Sequence, residues 1–294
     1  MLNINFGCEM TRFIKYQAAG NDFIVIDSTS AYESGEGAAA VAYWQERAKH
    51  LCDRHFGIGA DGILLVSRVP TELSDARMDI INADGSLAEM CGNGIRCAAR
   101  YLADKSGLND GAWRIDTLGG VQWVCMRSDR DAYPIEVAMA MVQVGEPICY
   151  TAEDGRVFCG RKVDVGNPHF VIIIKDCDAL KGDAALVYLH QMAEVYGDEL
   201  SHAPIFEAGS NIEFVRLLPD QTAAMAVYER GCGITLACGT GATAVGAVVM
   251  QENGKMKQCQ VTLEGGKLCI TAPCTAHGRY RLCGDAQRVF CGEV

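Results

Sequence analysis

Two cysteines, Cys91 and Cys238, occur in matching surroundings: Cys91-Gly92-Asn93-Gly94 and, 147 positions on, Cys238-Gly239-Thr240-Gly241. Each directly precedes a stretch with helical periodicity. Ile95, Ala98, Ala99 and Leu102 fall at i, i+3, i+4 and i+7, and Ala242, Val245 and Val249 at i, i+3 and i+7. A glycine ends each pattern, Gly107 and Gly254, again 147 apart. A thiol at a helix start meets N–H groups with no internal partner and the positive end of the helix dipole. The thiolate is favoured there, and the N–H groups of Gly92-Asn93 and Gly239-Thr240 can hold a carboxylate. Such a pair suits proton transfer at a carbon beside a carboxylate. One thiolate takes the proton, the other thiol returns one from behind, and the centre inverts. One helix terminus contributes about 0.3–1 kcal/mol, up to ~2 when partly buried, which lowers a thiol from about 8.5 by roughly one pH unit. A closed, water-poor site has to supply the rest.

The elements that must position these thiols also repeat. Gly20-Asn21 recurs 146 positions on as Gly166-Asn167, and each pair leads into a β-branched run, Phe23-Ile24-Val25-Ile26 and Phe170-Val171-Ile172-Ile173-Ile174. Such runs read as short buried strands. Three landmarks in one order at nearly one offset predict an internal duplication rather than a solenoid, whose period would be shorter. The expected fold class is α+β: two pseudo-symmetric domains, each a mixed or antiparallel sheet around one principal helix behind its thiol. The expected division is 10–134 and 135–283, with 284–294 returning to the first half. Residues 1–9 precede the first strand-like pattern, at Phe13-Ile14-Lys15-Tyr16, and read as an extension.

Composition narrows the function. The 294 residues are 49% hydrophobic and 21% charged, an ordinary globular balance with no apolar run long enough to span a membrane. A net charge of −11, from 26 basic and 37 acidic residues, disfavours nucleic acid and a polybasic membrane anchor as partners. A small molecule remains. No basic-then-apolar leader is visible at the N-terminus, so the 15 cysteines are expected to stay reduced in the cytoplasm, with no structural disulfide. A four-thiolate zinc site from Cys91, Cys97, Cys232 and Cys238 is the competing reading, that of a zinc-stabilised binding protein. Its five-residue spacers exceed the usual two to four, and six residues along a helix turn Cys97 about 240° from Cys91. No metal is expected.

The residues resemble the diaminopimelate epimerases, pyridoxal-phosphate-independent enzymes of bacterial lysine and cell-wall synthesis. The matching stretches run in order over most of the chain: Gly20-Asn21-Asp22-Phe23, Arg54-His55-Phe56-Gly57-Ile58-Gly59, Asn82-Ala83-Asp84-Gly85-Ser86, Met90 through Cys97, Gly166-Asn167-Pro168-His169, Gly209-Ser210-Asn211, and Val227-Tyr228-Glu229-Arg230-Gly231 leading to Ala237 through Gly241. The resemblance implies two similar domains closing over substrate, no cofactor, and a homodimer. It implies Cys91 and Cys238 as the acid/base pair, and Gly92, Asn93, Gly239 and Thr240 as carboxylate holders. Asn21, Asn82, Asn167, Asn211, Glu229 and Arg230 match the remaining substrate contacts, and His169 matches a supporting histidine. Physically the set suits a substrate with two amino-acid ends, since Arg230 can grip a second carboxylate bidentately and Glu229 can pair an ammonium. Asn82 aligns with Glu229 in the repeat, so the halves keep their thiols and differ in recognition. Local turn bonding is the simpler role for Asn21 and Asn82, and a turn role suits Asp84 and Thr117. Gly62 stands where the family often carries Gln. The competing isomerase is a two-thiol racemase of proline, hydroxyproline or glutamate.

Overall fold

The computed structural model describes residues 10–129, 134–175, 183–218, 222–275 and 278–294; the expected extension at 1–9 lies outside them. The chain forms two compact units. The first comprises residues 10–18, Asp22–Val124 and Ala286–Val294. Its elements run β1 (Arg12–Ala18), β2 (Asn21–Asp27), α1 (Thr29–Glu33), α2 (Gly37–Leu51), β3 (Gly62–Ser67), β4 (Ala76–Asn82), β5 (Leu87–Ala88), α3 (Gly92–Ser106), β6 (Gly111–Asp116) and β7 (Gln122–Met126). Parallel neighbours need a crossover, and α2 lies in the one that joins β2 to β3. β4 then returns antiparallel to β3 and accepts β6 as a parallel neighbour.

The second unit, Ala19–Asn21 and Cys125–Asp285, repeats that order. Its elements are β8 (Ile135–Ala138), β9 (Gln143–Thr151), β10 (Val157–Asp164), β11 (Pro168–Ile173), α4 (Asp183–Ser201), β12 (Asn211–Leu218), β13 (Thr222–Glu229), β14 (Gly233–Thr235), α5 (Gly239–Asn253), β15 (Gln258–Leu263), β16 (Gly266–Thr271) and β17 (Arg281–Gly284). The crossover containing α4 joins parallel β11 and β12, β13 returns antiparallel, and β15 runs parallel to β13. The last strand, β18 (Gln287–Glu293), belongs to the first unit and pairs antiparallel with β1. The duplicated mixed-sheet architecture is therefore as expected. The main division between the units falls at Val124/Cys125, inside β7, where the expected one was after residue 134.

Each unit carries two main helices where one was expected, and the second explains the unbroken apolar strands. In the first unit Ile24, Ile26, Ile63 and Leu65 pack with Trp44, Ala48 and Leu51 of α2. The alternate residues Phe23 and Leu64 turn the other way, toward Gly94 of α3. In the second unit Phe170, Ile172, Ile212 and Phe214 pack with Leu189, Met192 and Ala193 of α4. Strands covered on both faces lose the polar alternation of a half-exposed sheet. The sequence did carry a signal for α4, because Ala185, Leu189, Met192, Ala193 and Leu200 form one buried helical stripe. For α2 the flanking alanines of Gly37-Ala38-Ala39-Ala40-Val41-Ala42 blur that stripe. Among the described residues no helix is long and apolar enough to cross a membrane.

One expectation about the thiols fails. Cys149 on β9 and Cys159 on β10 are joined by a disulfide. The two residues lie directly opposite in the antiparallel register, with Cα atoms 4.1 Å apart, so the strand pairing brings their sulfurs together. Direct opposition alone does not decide the matter, because Cys269 and Cys283 face each other across β16 and β17 and are not joined by a disulfide.

Candidate active site

Cys91 is the N-cap of α3 and Cys238 the N-cap of α5, both in extended backbone. Each sulfur accepts the amide of the third helical residue, Gly94 or Gly241, at 3.3 Å. The thiol thus takes the part a serine hydroxyl usually plays at a helix start. Both helices are 15 residues long, and both end on a glycine in the left-handed region, Gly107 at φ 66° and Gly254 at φ 67°. Gly92-Asn93 and Gly239-Thr240 occupy the first helical turns, where N–H groups point out of the helix.

In the first unit Asn82 closes β4 and donates to Ser86 Oγ at 2.9 Å, while Asp84 Oδ1 accepts from the Ser86 amide. The turn role expected for Asp84 holds. Thr117 likewise closes a turn, its hydroxyl donating to Gly120 O at 2.8 Å. Asn93 is buried and accepts from the guanidinium of the fully buried Arg96 at 2.9 Å. Gly62 lies opposite Asn82 in the β3–β4 ladder, and a Cβ added there would stand 2.6 Å from Ile81 O. This backbone has no place for a glutamine side chain there.

The second unit holds a continuous polar chain. Cys238 Sγ lies 3.4 Å from Thr240 Oγ1, whose oxygen accepts from Asn167 Nδ2 at 3.4 Å. Asn167 Oδ1 lies 3.0 Å from His169 Nε2, and His169 Nδ1 lies 2.6 Å from Glu213 Oε1. His169 and Glu213 are fully buried. Glu229, at the end of β13, accepts from the Thr235 hydroxyl at 2.5 Å. Burial raises the Glu229 carboxyl, the Thr235 hydroxyl and the Cys238 thiol lower it, and Glu213 adds to the rise. Burial also pushes the Cys238 thiol well above its ordinary value, with Glu229 and Glu213 reinforcing the effect. Thr240 and the Gly241 amide pull the other way.

The Asn211 amide is committed to the chain itself. It donates to Pro168 O at 2.8 Å and accepts from the Arg230 amide at 3.0 Å, so it holds two loops together. The exposed Arg230 guanidinium donates to Ala208 O at 2.7 Å. Asn21 opens β2 in sequence yet groups with the second unit. Sequence reasoning missed Glu213 and Thr235. A lone Glu inside the apolar run Ile212-Glu213-Phe214-Val215 was a visible signal for the first, since buried carboxylates are rare unless paired. Of the four thiols in the competing zinc reading, Cys97 is fully buried and Cys232 exposed. Among the described residues no group of three or more His, Cys, Asp or Glu has a metal-binding arrangement.

A family model described as diaminopimelate epimerase matches residues 13–145 and 161–289. The diaminopimelate epimerase of Synechocystis sp. is 37% identical over 96% of this chain and 98% of its own. That of Acetivibrio thermocellus is 35% identical, with 96% and 98% coverage. Among solved structures, a probable proline racemase from Agrobacterium radiobacter superposes with a TM-score of 0.69 at 14% identity, covering 97% of this chain and 92% of that one. A hydroxyproline epimerase from Agrobacterium vitis gives 0.67 at 14%, covering 97% and 91%. At such identity these two establish the shared fold. With the family model spanning most of the sequence and full-length relatives above one-third identity, the chain belongs to the diaminopimelate epimerase family and is an isomerase.

Proposed function

We propose that this enzyme interconverts LL- and meso-2,6-diaminopimelate without pyridoxal phosphate, using Cys91 and Cys238 as the two bases. The supporting observation is the pair of identically capped thiols, one in each repeated unit, at the start of helices of equal length. The ionised sulfur takes the Cα proton, breaking C–H and forming S–H. The electron pair left on carbon delocalises into the carboxylate, which the first-turn amides of Gly92-Asn93 and Gly239-Thr240 stabilise. The other thiol then gives its proton to the opposite face, and the sulfurs exchange protonation states. Because the roles reverse with direction, two groups of one chemical type serve better than an acid and a base of different types.

At the distal end, Arg230 is the group for the second carboxylate and Glu229 for the ammonium, with Asn21, Asn82, Asn167 and Asn211 shaping the surroundings. Asn211 contributes by holding the Arg230 backbone rather than by direct contact. A homodimer, as the resemblance implies, working in the cytoplasm in lysine and peptidoglycan precursor synthesis, completes the proposal. The test is exchange in D₂O. Purified protein with LL-diaminopimelate under reducing conditions is expected to lose the α-proton signal and form the meso isomer, whereas proline is expected to stay unlabelled. Cys91→Ala and Cys238→Ala are each expected to abolish epimerisation while still binding substrate. Appreciable turnover by either variant refutes the two-base mechanism, and exchange into proline alone refutes the substrate.

A further inference from the structure

The internal repeat supplies a control for every residue around the thiols, and it exposes one difference beneath them. Behind the α3 cap, the groups nearest Gly94 are the Cys91 side chain, Leu64 and Phe23. Behind the α5 cap, the groups nearest Gly241 are Glu213, Cys238 and Met225. Phe23 and His169 each stand two residues after the repeated Gly-Asn pair's asparagine. Leu64 and Glu213 each stand two residues beyond the strand partner of that position, since Phe23 pairs with Gly62 and His169 with Asn211. The apolar Phe23–Leu64 pair of one unit is thus an acid–imidazole pair in the other. Both Glu213 and His169 are sealed from solvent, and Glu213 Oε2 has no hydrogen-bond partner among the described residues. Burying two polar, titratable side chains where the fold tolerates Phe and Leu costs stability, so the pair calls for a functional reason.

We infer that Glu213 is a positioning residue for the second thiol: by fixing His169 it aims Asn167 and Thr240 at the Cys238 sulfur and makes the two thiols chemically inequivalent. This rests on the two-thiol reading above. A carboxylate only accepts, so Glu213 keeps a proton on His169 Nδ1 and fixes the ring. Asn167 Oδ1 is an acceptor as well, so Nε2 meets it with an N–H, and the Asn167 NH2 then faces the Thr240 oxygen. With its lone pair so engaged, the Thr240 hydroxyl is free to donate toward Cys238 Sγ. The sulfur thereby gains a second donor beside the Gly241 amide. The charged or titratable groups facing it are Glu229 from β13, Glu213 from β12 and His169 from β11. Two buried carboxylates favour the protonated thiol in the resting site, and the two donors stand ready for the thiolate formed during turnover.

Glu213→Gln retains an acceptor for His169 Nδ1 and removes the charge. Iodoacetamide labelling of Cys238 in the full chain, followed by peptide mass spectrometry across pH, reads the sulfur directly. The variant is expected to label on the order of tenfold faster at neutral pH, its profile displaced toward lower pH. Its kcat is expected to fall about tenfold or more, with KM changed less than about twofold. A labelling profile superimposing on that of the parent, or an unchanged kcat, overturns the inference. If Glu213→Gln does not fold, the double variant Glu213→Leu with His169→Phe installs the pair already tolerated in the first unit, and the same displacement is expected. Retained turnover in Cys238→Ala would instead remove the two-thiol reading itself, so the two failures are distinct.

Discussion

At the residue scale, a side chain's chemistry follows from what already occupies its polar atoms. The asparagines illustrate this. Asn82 is tied to Ser86, Asn167 to His169 and Thr240, and Asn211 to backbone on both ends. Their types were legible in the sequence as hydrogen-bonding groups, and so was the local turn of Asn82, but the Thr240 partner of Asn167 and both partners of Asn211 were not, because they come from distant segments. Asp22 makes the same point with a charge. Its carboxylate lies 2.8 Å from Lys15 Nζ and 2.7 Å from an Arg54 nitrogen, while the buried Lys15 also donates to Gly59 O. Burial alone would raise the Asp22 carboxyl, but the hydrogen bonds and charges of Arg54 and Lys15 outweigh it and hold it at about 2. A carboxyl depressed on folding stabilises the fold above its unfolded value near 3.8, and that stability is lost as pH falls through about 2. Asp22→Asn is therefore expected to lose about 2 kcal/mol at pH 7, a value that also includes the stranded buried Lys15. In urea titrations the gap between variant and parent should narrow below pH 4 and be smallest near pH 2. A gap independent of pH would show that the charge is not what matters.

At the element scale, the two thiol-capped helices were the most legible part of the molecule. Their starts, lengths and stops all carry local signals: a capping side chain, an apolar stripe and a glycine. The buried faces agree with the stripes, since Ile95, Ala98, Ala99, Ala242 and Val245 are fully buried. What the sequence hid was α2, where the alanine run dilutes the periodicity, and the pairing of Cys149 with Cys159, which depends on register; the α4 stripe was there to be read. The glycine stops can be tested apart from any packing effect. At Gly254 the backbone has positive φ, and an added Cβ would meet nothing within 4 Å among the described residues. Gly254→Ala is thus expected to cost about 1 kcal/mol through backbone strain alone, visible as a lower urea midpoint with an unchanged slope. Turnover should be unaffected, because the thiol lies at the opposite end of the helix. Equal stability of variant and parent would mean that the helix ends elsewhere in solution.

At the scale of the whole molecule, duplication means that one folding plan was written twice and then edited. The constant parts are those with local causes, namely the caps, the turn at Gly-Asn and the crossover strands. The edits fall where residues meet through space: His169 and Glu213 against Phe23 and Leu64, or Glu229 against Asn82. The repeat itself could be read from offsets near 147, whereas the edits acquired meaning only once strands were paired. Thiol usage belongs to this scale too, because composition predicts it by compartment and the fold decides it by register. The Cys149–Cys159 bridge closes a loop of sequence separation 10 across neighbouring strands. Chain-entropy arguments assign such a loop about 2–3 kcal/mol, acting mainly on the unfolded chain. Cys149→Ser with Cys159→Ser is therefore expected to lower the melting temperature under non-reducing conditions only, by a few degrees for a protein of this size. With excess thiol reductant, parent and variant should melt together, and epimerisation should be the same in both, since neither residue belongs to the proposed site. A difference that persists in reductant would assign the loss to packing on the β9–β10 pair, and identical melting without reductant would show that the bridge does not form in solution.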